Sequence, residues 1–288
     1  MISLENTHIK ALFADKGAEL QSLKSKKDHT DYLWNGDPDY WGKFSPVLFP
    51  IVGGLKNNTY YFKDKAYQLP RHGFARDRAF VADQISSTEV LFTLTHNEET
   101  IKVYPFPFSL QLHYKLSGPS LSCTYTVSNP AQTDLLFSLG AHPAFATLAN
   151  DKISYTDYFL KFNKDNTLIY HKIKGDMIDN ETVSIELKNR ELPLKHELFY
   201  DDALVFKNLK SDCISLYNTK TPHGIHFNFK GFPFFGIWAA RNADFICLEP
   251  WQGIADGVDH DQHLEHKEGI VTLAPDKHWT GSWEVECF

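Results

Sequence analysis

Several stretches of the chain alternate strictly between apolar and polar residues. In "LQLHYKL", residues 110–116, every second side chain is Leu or Tyr, and Gln, His and Lys lie between them. The same period of two runs through "LSCTYTVS", residues 121–128, and through "WEVECF", residues 283–288. Such alternation places apolar side chains on one face of a pleated strand and polar side chains on the other. These stretches therefore predict strands with one buried face.

Turn signals separate the alternating stretches at intervals typical of all-β proteins. They are "DKG", "KDK", "SGPS" and "SNPA", at residues 15–17, 63–65, 117–120 and 128–131. No stretch keeps a helical period over three turns, and neither an internal repeat nor a flexible linker divides the chain. We therefore predict an all-β fold with two large antiparallel sheets packed face to face, in a single domain over residues 1–288.

Composition narrows the class of protein further. The chain has 288 residues, of which 42% are hydrophobic and 23% charged, as is usual for folded globular proteins. No apolar run reaches the roughly 20 residues that span a bilayer, and the N-terminal "MISLENTHIK" lacks the apolar core of a signal peptide. The net charge of −7 disfavours nucleic-acid binding, which needs a basic face. We expect a cytoplasmic protein without nucleic-acid or membrane partners.

Cysteine spacing fits the same cellular setting. The four cysteines, Cys123, Cys213, Cys247 and Cys287, are widely separated and form no C-x-x-C pair. This spacing matches neither a zinc-site signature nor a disulfide framework, and it fits a reducing compartment. Cys123 and Cys287 fall on the apolar faces of probable strands, so we expect them to be small buried hydrophobic residues.

Three segments combine charged or titratable residues with Pro, Gly and aromatic residues: "PRHGFAR", "LGAHPAF" and "CLEPWQG", at residues 70–76, 139–145 and 247–253. Rigid loops of this kind on a β scaffold are typical of functional sites. Glu249 is the most unusual residue among them, because it follows an apolar run. A carboxylate in such surroundings has to be paired, neutralised or used in function.

Each candidate residue also has a structural interpretation. His142 precedes Pro143, which restricts its backbone to extended geometry, and it could equally be a core histidine bonded to a backbone carbonyl. Glu249 could belong to a structural ion pair. Trp251 could be a packed core residue or a platform for the apolar face of a sugar. The residues alone leave these alternatives open.

Other motifs give weaker signals. "DHDQHLEHKEG", residues 259–269, contains three histidines, but three-residue steps on a helix would leave the first and last well apart. We therefore interpret this segment as a solvated loop and expect no metal site. "FPIVGGLKNN", residues 49–58, has neither the Lys-Ser/Thr of a phosphate loop nor the setting of a dinucleotide fingerprint, and the chain has no G-x-S-x-G elbow.

Taken together, these segments resemble the aldose 1-epimerase (galactose mutarotase-like) family, and most closely its LacX-type branch. The likeness runs from "GAELQSL" at residues 17–23 to "EHKEGIVTLAPDKHW" at residues 265–279, and "HGFAR" and "LEPW" are its most specific elements. The resemblance implies a β-supersandwich with an open cleft that binds a free hexose. It also implies interconversion of the α and β anomers without a metal or an organic cofactor, in a monomer or a homodimer.

The resemblance also assigns roles to individual residues. Glu249 corresponds to the base that accepts the C1 hydroxyl proton, and His142 corresponds to the acid that protonates the ring oxygen. His72 matches a second histidine that contacts the sugar, and Asp202 matches an aspartate that orients hydroxyl groups. Trp251 is expected to contact the substrate as well. We expect the base and the acid to lie on opposite sides of one hemiacetal.

The sequence departs from the family at one sugar contact. Gly54 stands where galactose mutarotases usually carry an arginine, and Arg76 or Lys56 could replace it. The same arginine of "HGFAR" binds an anionic group in the related hexose-6-phosphate mutarotases, so a phosphorylated sugar remains an alternative. Arg71 and Arg78 lie close to Arg76 in the sequence and could also bind a phosphate group, but they could equally be surface residues that keep the protein soluble. A non-catalytic sugar sensor and a glycoside hydrolase are further alternatives, although hydrolases normally need two carboxyl groups.

Overall fold

The computed structural model describes residues 1–147 and 152–288. The described part consists mainly of antiparallel strands. In chain order they are β1 Ile2–Glu5, β2 Ile9–Phe13, β3 Leu20–Ser25, β4 Val47–Leu48, β5 Thr59–Phe62, β6 Lys65–Gln68, β7 Val81–Ser86, β8 Glu89–Thr95, β9 Ser109–Ser117, β10 Ser120–Ser128, β11 Leu135–Phe137, β12 Leu139–Ala141, β13 Ala144–Ala146, β14 Tyr158–Phe162, β15 Thr167–Lys174, β16 Met177–Glu186, β17 Glu191–Pro193, β18 Leu204–Phe206, β19 Cys213–Asn218, β20 Gly224–Asn228, β21 Phe234–Trp238, β22 Phe245–Gln252, β23 Val271–Leu273 and β24 His278–Cys287.

Helices are few and short in the described ranges. The one α-helix, α1, spans Glu98–Val103 and is capped by Asn97, whose side chain accepts from the backbone N–H of Thr100. The 3₁₀ segments are Lys56–Asn58, Ala75–Asp77, Tyr155–Asp157, His196–Phe199 and Leu264–His266. None of the helices in the described residues has the length and apolar character needed to cross a membrane.

The alternating stretches form the centre of the larger sheet. Its nine strands follow the order β17-β14-β19-β20-β24-β10-β9-β8-β7. Register places Leu112 opposite Tyr125 and Cys123 opposite Trp283, so the apolar side chains of β9, β10 and β24 share one face. The prediction of half-buried strands is confirmed, and the turns at "KDK" and "SGPS" join adjacent strands.

The second sheet carries Glu249 and Trp251, two of the residues selected from the sequence. Its eight strands include the path β16-β15-β18-β21-β22-β12-β4, and β13 also pairs with β22. Strand β22 is covered on both faces. Ile246 and Leu248 point into the main core, while Cys247 and Trp251 belong to two separate apolar clusters on the opposite face. Burial on both faces explains why this strand reads as a continuous apolar run.

The main core lies between the two large sheets. Phe229 directly follows β20 of the nine-stranded sheet, and Phe235 lies on β21 of the eight-stranded sheet. Their ring centroids are 4.1 Å apart. The three-stranded sheet β1-β2-β3 adds to this core through Phe13, whose ring centroid lies 4.6 Å from that of Tyr114. The expected all-β supersandwich is confirmed. The single domain over residues 1–288 stays a prediction, which the continuity of this core supports.

All four cysteines are free thiols. Cys123 and Cys287 are buried, as expected for small hydrophobic residues on the inner faces of β10 and β24. Cys247 is buried too, but on the cleft side of β22.

Candidate active site

Glu249 lies on the face of β22 that is turned away from the main core. Its neighbour across the ladder is Gly236 of β21, and the indole of Trp251 fills the space that a side chain at Gly236 would need. A Cβ added to Gly236 would meet the Trp251 ring at 2.4 Å, and one added to Gly140 on the other side would meet it at 2.6 Å. The two glycines therefore allow the indole to lie flat across the sheet beside Glu249.

His142 reaches Glu249 because Pro143 interrupts the neighbouring strand. Strands β12 and β13 both pair with β22, with Gly140 opposite Trp251 and Ala144 opposite Cys247. His142 and Pro143, which lie between these two strands, leave the regular ladder, since proline has no N–H to donate. This break places the imidazole of His142 beside the Glu249 side chain, as the sequence analysis predicted for a shared site.

The two side chains are in direct contact. Nε2 of His142 lies 3.3 Å from Oε2 of Glu249, and only 2% of Glu249 is exposed. The expected placement on opposite sides of a hemiacetal differs from this geometry, because atoms this close cannot enclose a sugar. They instead form one surface that can meet two oxygens bonded to the same carbon. Oε2 of Glu249 has no hydrogen-bond partner among the described residues.

Burial changes the protonation of both groups. It raises the pKa of Glu249 well above its ordinary value, and the nearby Arg71 guanidinium and Trp251 indole only partly oppose this shift. Burial also lowers the pKa of His142 to about 3, an effect that the charges of Arg71 and Arg76 increase. Burial therefore favours the uncharged form of both groups, a carboxyl group beside a neutral imidazole. Such opposed shifts are typical of functional sites.

His72 is held in a strained conformation next to this pair. Its φ of 69° lies in the left-handed region, which non-glycine residues rarely adopt. The backbone N–H of Gly53 donates to Nδ1 of His72 at 3.1 Å, so the ring proton is on Nε2. Burial holds the pKa of His72 well below its ordinary value. His72 is thus a neutral hydrogen-bond donor whose ring centroid lies 5.7 Å from that of His142.

Asp202 and Arg71 form the charged wall of the site. Asp202 also has an unusual φ, 134°, and its Oδ1 lies 3.7 Å from Nη2 of Arg71. Arg71 makes a shorter ion pair, 2.8 Å, with Asp176. Asp176 lies at the tip of the β15–β16 hairpin, about a hundred residues further along the chain. The sequence analysis left Arg71 open between a surface residue and a ligand for a phosphate group, and it could not reveal the contact with Asp176 because the two residues are distant in sequence.

The same hairpin explains the glycine at position 54. A Cβ at Gly54 would lie 2.9 Å from the backbone oxygen of Asp176, so a larger residue would displace the hairpin. Lys56 does not replace the family arginine, because its ammonium group donates to the carbonyls of Val258 and His260. Arg76 does line the site, and its Nη2 donates to the carbonyl of Arg71. The hairpin that excludes a side chain at Gly54 therefore orients Arg71 instead.

Two tryptophans that the sequence analysis did not select complete the walls. Trp41 stacks on His142, with ring centroids 5.0 Å apart, and Trp238 contacts the same imidazole edge-on at 5.8 Å. Aromatic faces of this kind suit the apolar face of a sugar ring. Trp251, the tryptophan that we selected, also lines the cavity but is only 6% exposed.

These residues enclose an open cavity of about 460 Å³. It brings together all six residues selected from the sequence: Glu249, His142, His72, Arg76, Asp202 and Trp251. The volume is within the range for small-molecule sites, and the lining combines aromatic rings with a few converging polar groups. One group of potential metal ligands occurs in the described ranges, namely His142, Cys247 and Glu249, whose ligand atoms lie within 4.8 Å of one another.

The "DHDQHLEHKEG" segment is less solvated than we expected. Lys267 is 2% exposed and makes a 2.8 Å ion pair with Asp256, and Leu264 is buried. His266 remains exposed and pairs with Asp261. The prediction of a solvated loop holds for most of the segment and is wrong at Leu264 and Lys267; a buried carboxylate outside the segment compensates the charge of Lys267.

Comparisons with known proteins identify the family of the chain. The sequence model of the family described as Aldose 1-epimerase matches residues 1–285. The chain belongs to the aldose 1-epimerase family. The Lactococcus lactis subsp. lactis protein LacX (chromosomal) is 31% identical over 284 residues, which cover 95% of both chains. The resemblance to the family and its LacX-type branch is confirmed.

A solved structure extends the agreement to three dimensions. The galactose mutarotase related enzyme from Lactobacillus acidophilus superposes with a TM-score of 0.96 at 34% identity, over 100% of this chain and 97% of that one. A shorter match involves an Escherichia coli K12 protein provisionally named a glucose-6-phosphate 1-epimerase. It is 32% identical over 123 residues, about 40% of each chain. Family membership supports an isomerase that acts on a carbohydrate.

Proposed function

We propose that this protein is an aldose 1-epimerase that interconverts the anomers of a free, uncharged hexose. One observation carries the proposal: two buried proton-transfer groups, Glu249 and His142, lie 3.3 Å apart on the floor of a cavity that fits a monosaccharide. Glycoside hydrolysis needs a second carboxyl group across the scissile bond. The partner of Glu249 here is an imidazole, which favours epimerisation over hydrolysis.

The pair can carry out the reaction with one shared proton. When the sugar binds, that proton moves from Glu249 to Nε2 of His142 and leaves a carboxylate beside an imidazolium. The carboxylate then accepts the proton of the C1 hydroxyl while the imidazolium protonates the ring oxygen. The bond from C1 to the ring oxygen breaks, C1 becomes an aldehyde, and both side chains return to their resting protonation.

Ring closure reverses these transfers after rotation about the C1–C2 bond. His142 accepts the proton of the attacking hydroxyl, and the Glu249 carboxyl group protonates the former aldehyde oxygen. The raised pKa of Glu249 makes its carboxylate a stronger base than an exposed glutamate. Each correctly placed proton-transfer group typically contributes ~10²–10⁴-fold to the rate.

The surrounding residues position the sugar. The Nε2–H of His72 and the guanidinium of Arg71 are donors, and Asp202 is an acceptor for hydroxyl groups. Trp41 and Trp238 provide aromatic surface for the ring. We infer that Arg71 takes the role of the arginine that the family carries at the position of Gly54.

The charge of the cavity favours an uncharged sugar. Arg71 already faces Asp176 and Asp202, and Asp201 adds a third aspartate to the lining. A phosphate group would have to compete with these carboxylates for the guanidinium, and it would be repelled by them. The second candidate, a hexose-6-phosphate epimerase, is favoured by Arg76, whose buried Nε has no hydrogen-bond partner in the described residues.

Polarimetry tests the proposal directly. Freshly dissolved α-anomers of galactose, glucose and glucose 6-phosphate are followed with and without the protein. We expect an excess rate for at least one uncharged hexose and a lower kcat/KM for the phosphate ester. An excess rate for the ester alone would transfer the assignment to the second candidate. No excess rate for any sugar, together with binding detected by calorimetry, would instead identify a non-catalytic sugar sensor.

Replacing Arg71 tests its inferred role. A lost hydrogen bond to a charged group costs about 1.5–3 kcal/mol, so Arg71→Met should lower kcat/KM at least ~10-fold, mainly through KM. Arg78→Met is the matched control, because Arg78 pairs with Glu99 outside the cavity. Equal kinetics in the two variants would remove Arg71 from the site.

A further inference from the structure

A cysteine that the proposed reaction does not use lies buried beside the cavity-lining residues Glu249 and His142. Cys247 is buried two residues before Glu249 on the same face of β22. A ring nitrogen of His142, the thiol sulfur of Cys247 and a carboxylate oxygen of Glu249 all lie within 4.8 Å of one another. Imidazole, thiolate and carboxylate are the three ligand types that zinc accepts in proteins.

The distances fit a tetrahedral ion. Zinc bonds are about 2.0–2.2 Å to nitrogen and oxygen and about 2.3 Å to sulfur, so ligand atoms in a tetrahedral site are roughly 3.3–3.7 Å apart. The 3.3 Å between Nε2 of His142 and Oε2 of Glu249 already matches one edge of this tetrahedron. Closing the sulfur onto the same ion requires movements of roughly 1 Å, which side-chain rotation can supply.

The backbone holds these ligands in place before any ion arrives. Cys247 and Glu249 are alternate residues of a central strand, and Ala144 pairs directly with Cys247 two residues after His142. Oε2 of Glu249 is buried and has no hydrogen-bond partner in the described residues, so a ligand there would satisfy an unpaired polar atom.

We propose that His142, Cys247 and Glu249 form a Zn²⁺ site whose fourth position faces the cavity, and that the bound ion blocks proton transfer. The blocking rests on the proposed function, whereas the binding does not. Soft thiolate ligands favour Zn²⁺ over Mg²⁺, which prefers a shell of oxygen ligands. The site is therefore inhibitory and selective for zinc-like cations.

The local charges permit such an ion. The Cys247 thiolate and the Glu249 carboxylate together supply two negative charges. Arg71, a cation that lines the same cavity, is already paired with Asp176 and Asp202. The thiol and the Glu249 carboxyl group both have to release their protons to the solvent on binding, which limits the affinity and distinguishes this site from a dedicated structural zinc site.

A competition titration between the reduced protein and a chromophoric zinc chelator tests the binding. We expect one equivalent of Zn²⁺ per chain in the parent and in Cys213→Ala, whose cysteine lies on β19 in the other sheet. Cys247→Ala should bind at least ~10-fold more weakly, since even loss of an outer-shell partner costs that much. No binding in the parent, or equal binding in all three proteins, would overturn the site.

Two further measurements separate this proposal from folding effects and from the proposed function. Titration of the parent with Co²⁺ should produce a thiolate-to-cobalt charge-transfer band in the near ultraviolet, and its absence would exclude Cys247 as a ligand. Zn²⁺ should also abolish mutarotation reversibly in the parent but not in Cys247→Ala. Zinc binding without inhibition would refute the blocking, whereas a parent without mutarotation would refute the proposed function and leave the binding result intact.

Discussion

Glu249 and Asp256 are two carboxyl groups seven residues apart that are almost equally buried, at 2% and 1% exposure. Glu249 has an oxygen without a hydrogen-bond partner in the described residues and a raised pKa. Asp256 accepts from the ammonium of Lys267 at 2.8 Å and from the backbone N–H of Lys56 at 2.9 Å, and His260 lies 3.3 Å away. Because the two side chains are equally buried, the difference between their pKa values comes from the number of their hydrogen-bond and ion-pair partners.

The different partners shift the pKa values of the two carboxyl groups in opposite directions. Burial alone would raise the pKa of Asp256, but His260 and Lys267 outweigh this effect and lower it to about 2. Asp256 is therefore an anion at neutral pH, and its backbone N–H also donates to the carbonyl of Gly54 at 3.0 Å. These hydrogen bonds of Asp256 fix the loop that contains Gly54 and Lys56. We infer that an unsatisfied buried carboxyl group indicates chemistry and that a satisfied one indicates structure.

The largest expected effect separates activity from stability at Glu249. Glu249→Gln keeps the size of the side chain but removes the base, so the mutarotation rate should fall by ~10²–10⁴-fold. The free energy of unfolding should change little, because a neutral amide replaces a carboxyl group whose uncharged form is already favoured by burial. Polarimetry and urea unfolding on the same preparation measure both quantities.

Asp256→Asn is the matched control for this substitution. It makes the same chemical change at an equally buried carboxylate, but it leaves the Lys267 ammonium group without its anion. We expect lower stability, with activity per folded molecule within a few-fold of the parent. If Asp256→Asn abolished activity in a fully folded sample, or if Glu249→Gln kept the parent rate, the division between the two carboxylates would fail.

The sequence predicted the strands and the cavity residues better than it predicted which charges are buried. Period-two alternation is a local signal, so the strands around residues 110–128 and 283–287 could be recognised without tertiary information. The contact between Glu249 and His142 was expected from family resemblance. Lys267 was expected to be solvated and the ion pair of Arg71 was not foreseen, because their partners, Asp256 and Asp176, lie outside the segments that contain them. Local composition does not reveal such compensation.

The second prediction tests how much the ion pair between Asp256 and Lys267 contributes to stability. Lys267→Met removes the cation and leaves Asp256 buried without its main partner, which should cost about 3–5 kcal/mol of stability. The double variant Asp256→Leu, Lys267→Met replaces the pair with apolar groups of similar size and should recover much of this loss. Urea unfolding of the parent, the two single variants and the double variant measures the coupling. A purely additive result would show that the pair contributes nothing to stability.

The smallest expected effect is a dependence of stability on pH. The pKa of Asp256 is about 2 in the folded protein and 3.8 in its ordinary state. A lowered carboxyl pKa stabilises the folded state above the unfolded pKa, and this contribution is lost as pH falls through the folded pKa. The shift corresponds to about 2 kcal/mol, lost between pH ~4 and ~2. Burial also lowers the pKa of Lys267, which reduces the net worth of the pair but does not move this acid window.

Urea-unfolding series between pH 4.5 and 2.5 isolate this contribution when the parent is compared with Asp256→Asn. Other carboxylates with lowered pKa values, such as Asp157 and Asp261, are common to both proteins and cancel in the difference. We expect the stability gap between the two proteins to change as the pH falls, with the parent losing its advantage, because the unfolded parent takes up a proton at Asp256 before the folded parent does. A gap that stays constant would mean that Asp256 has the same pKa in the folded and the unfolded protein, so that its partners do not hold it as an anion.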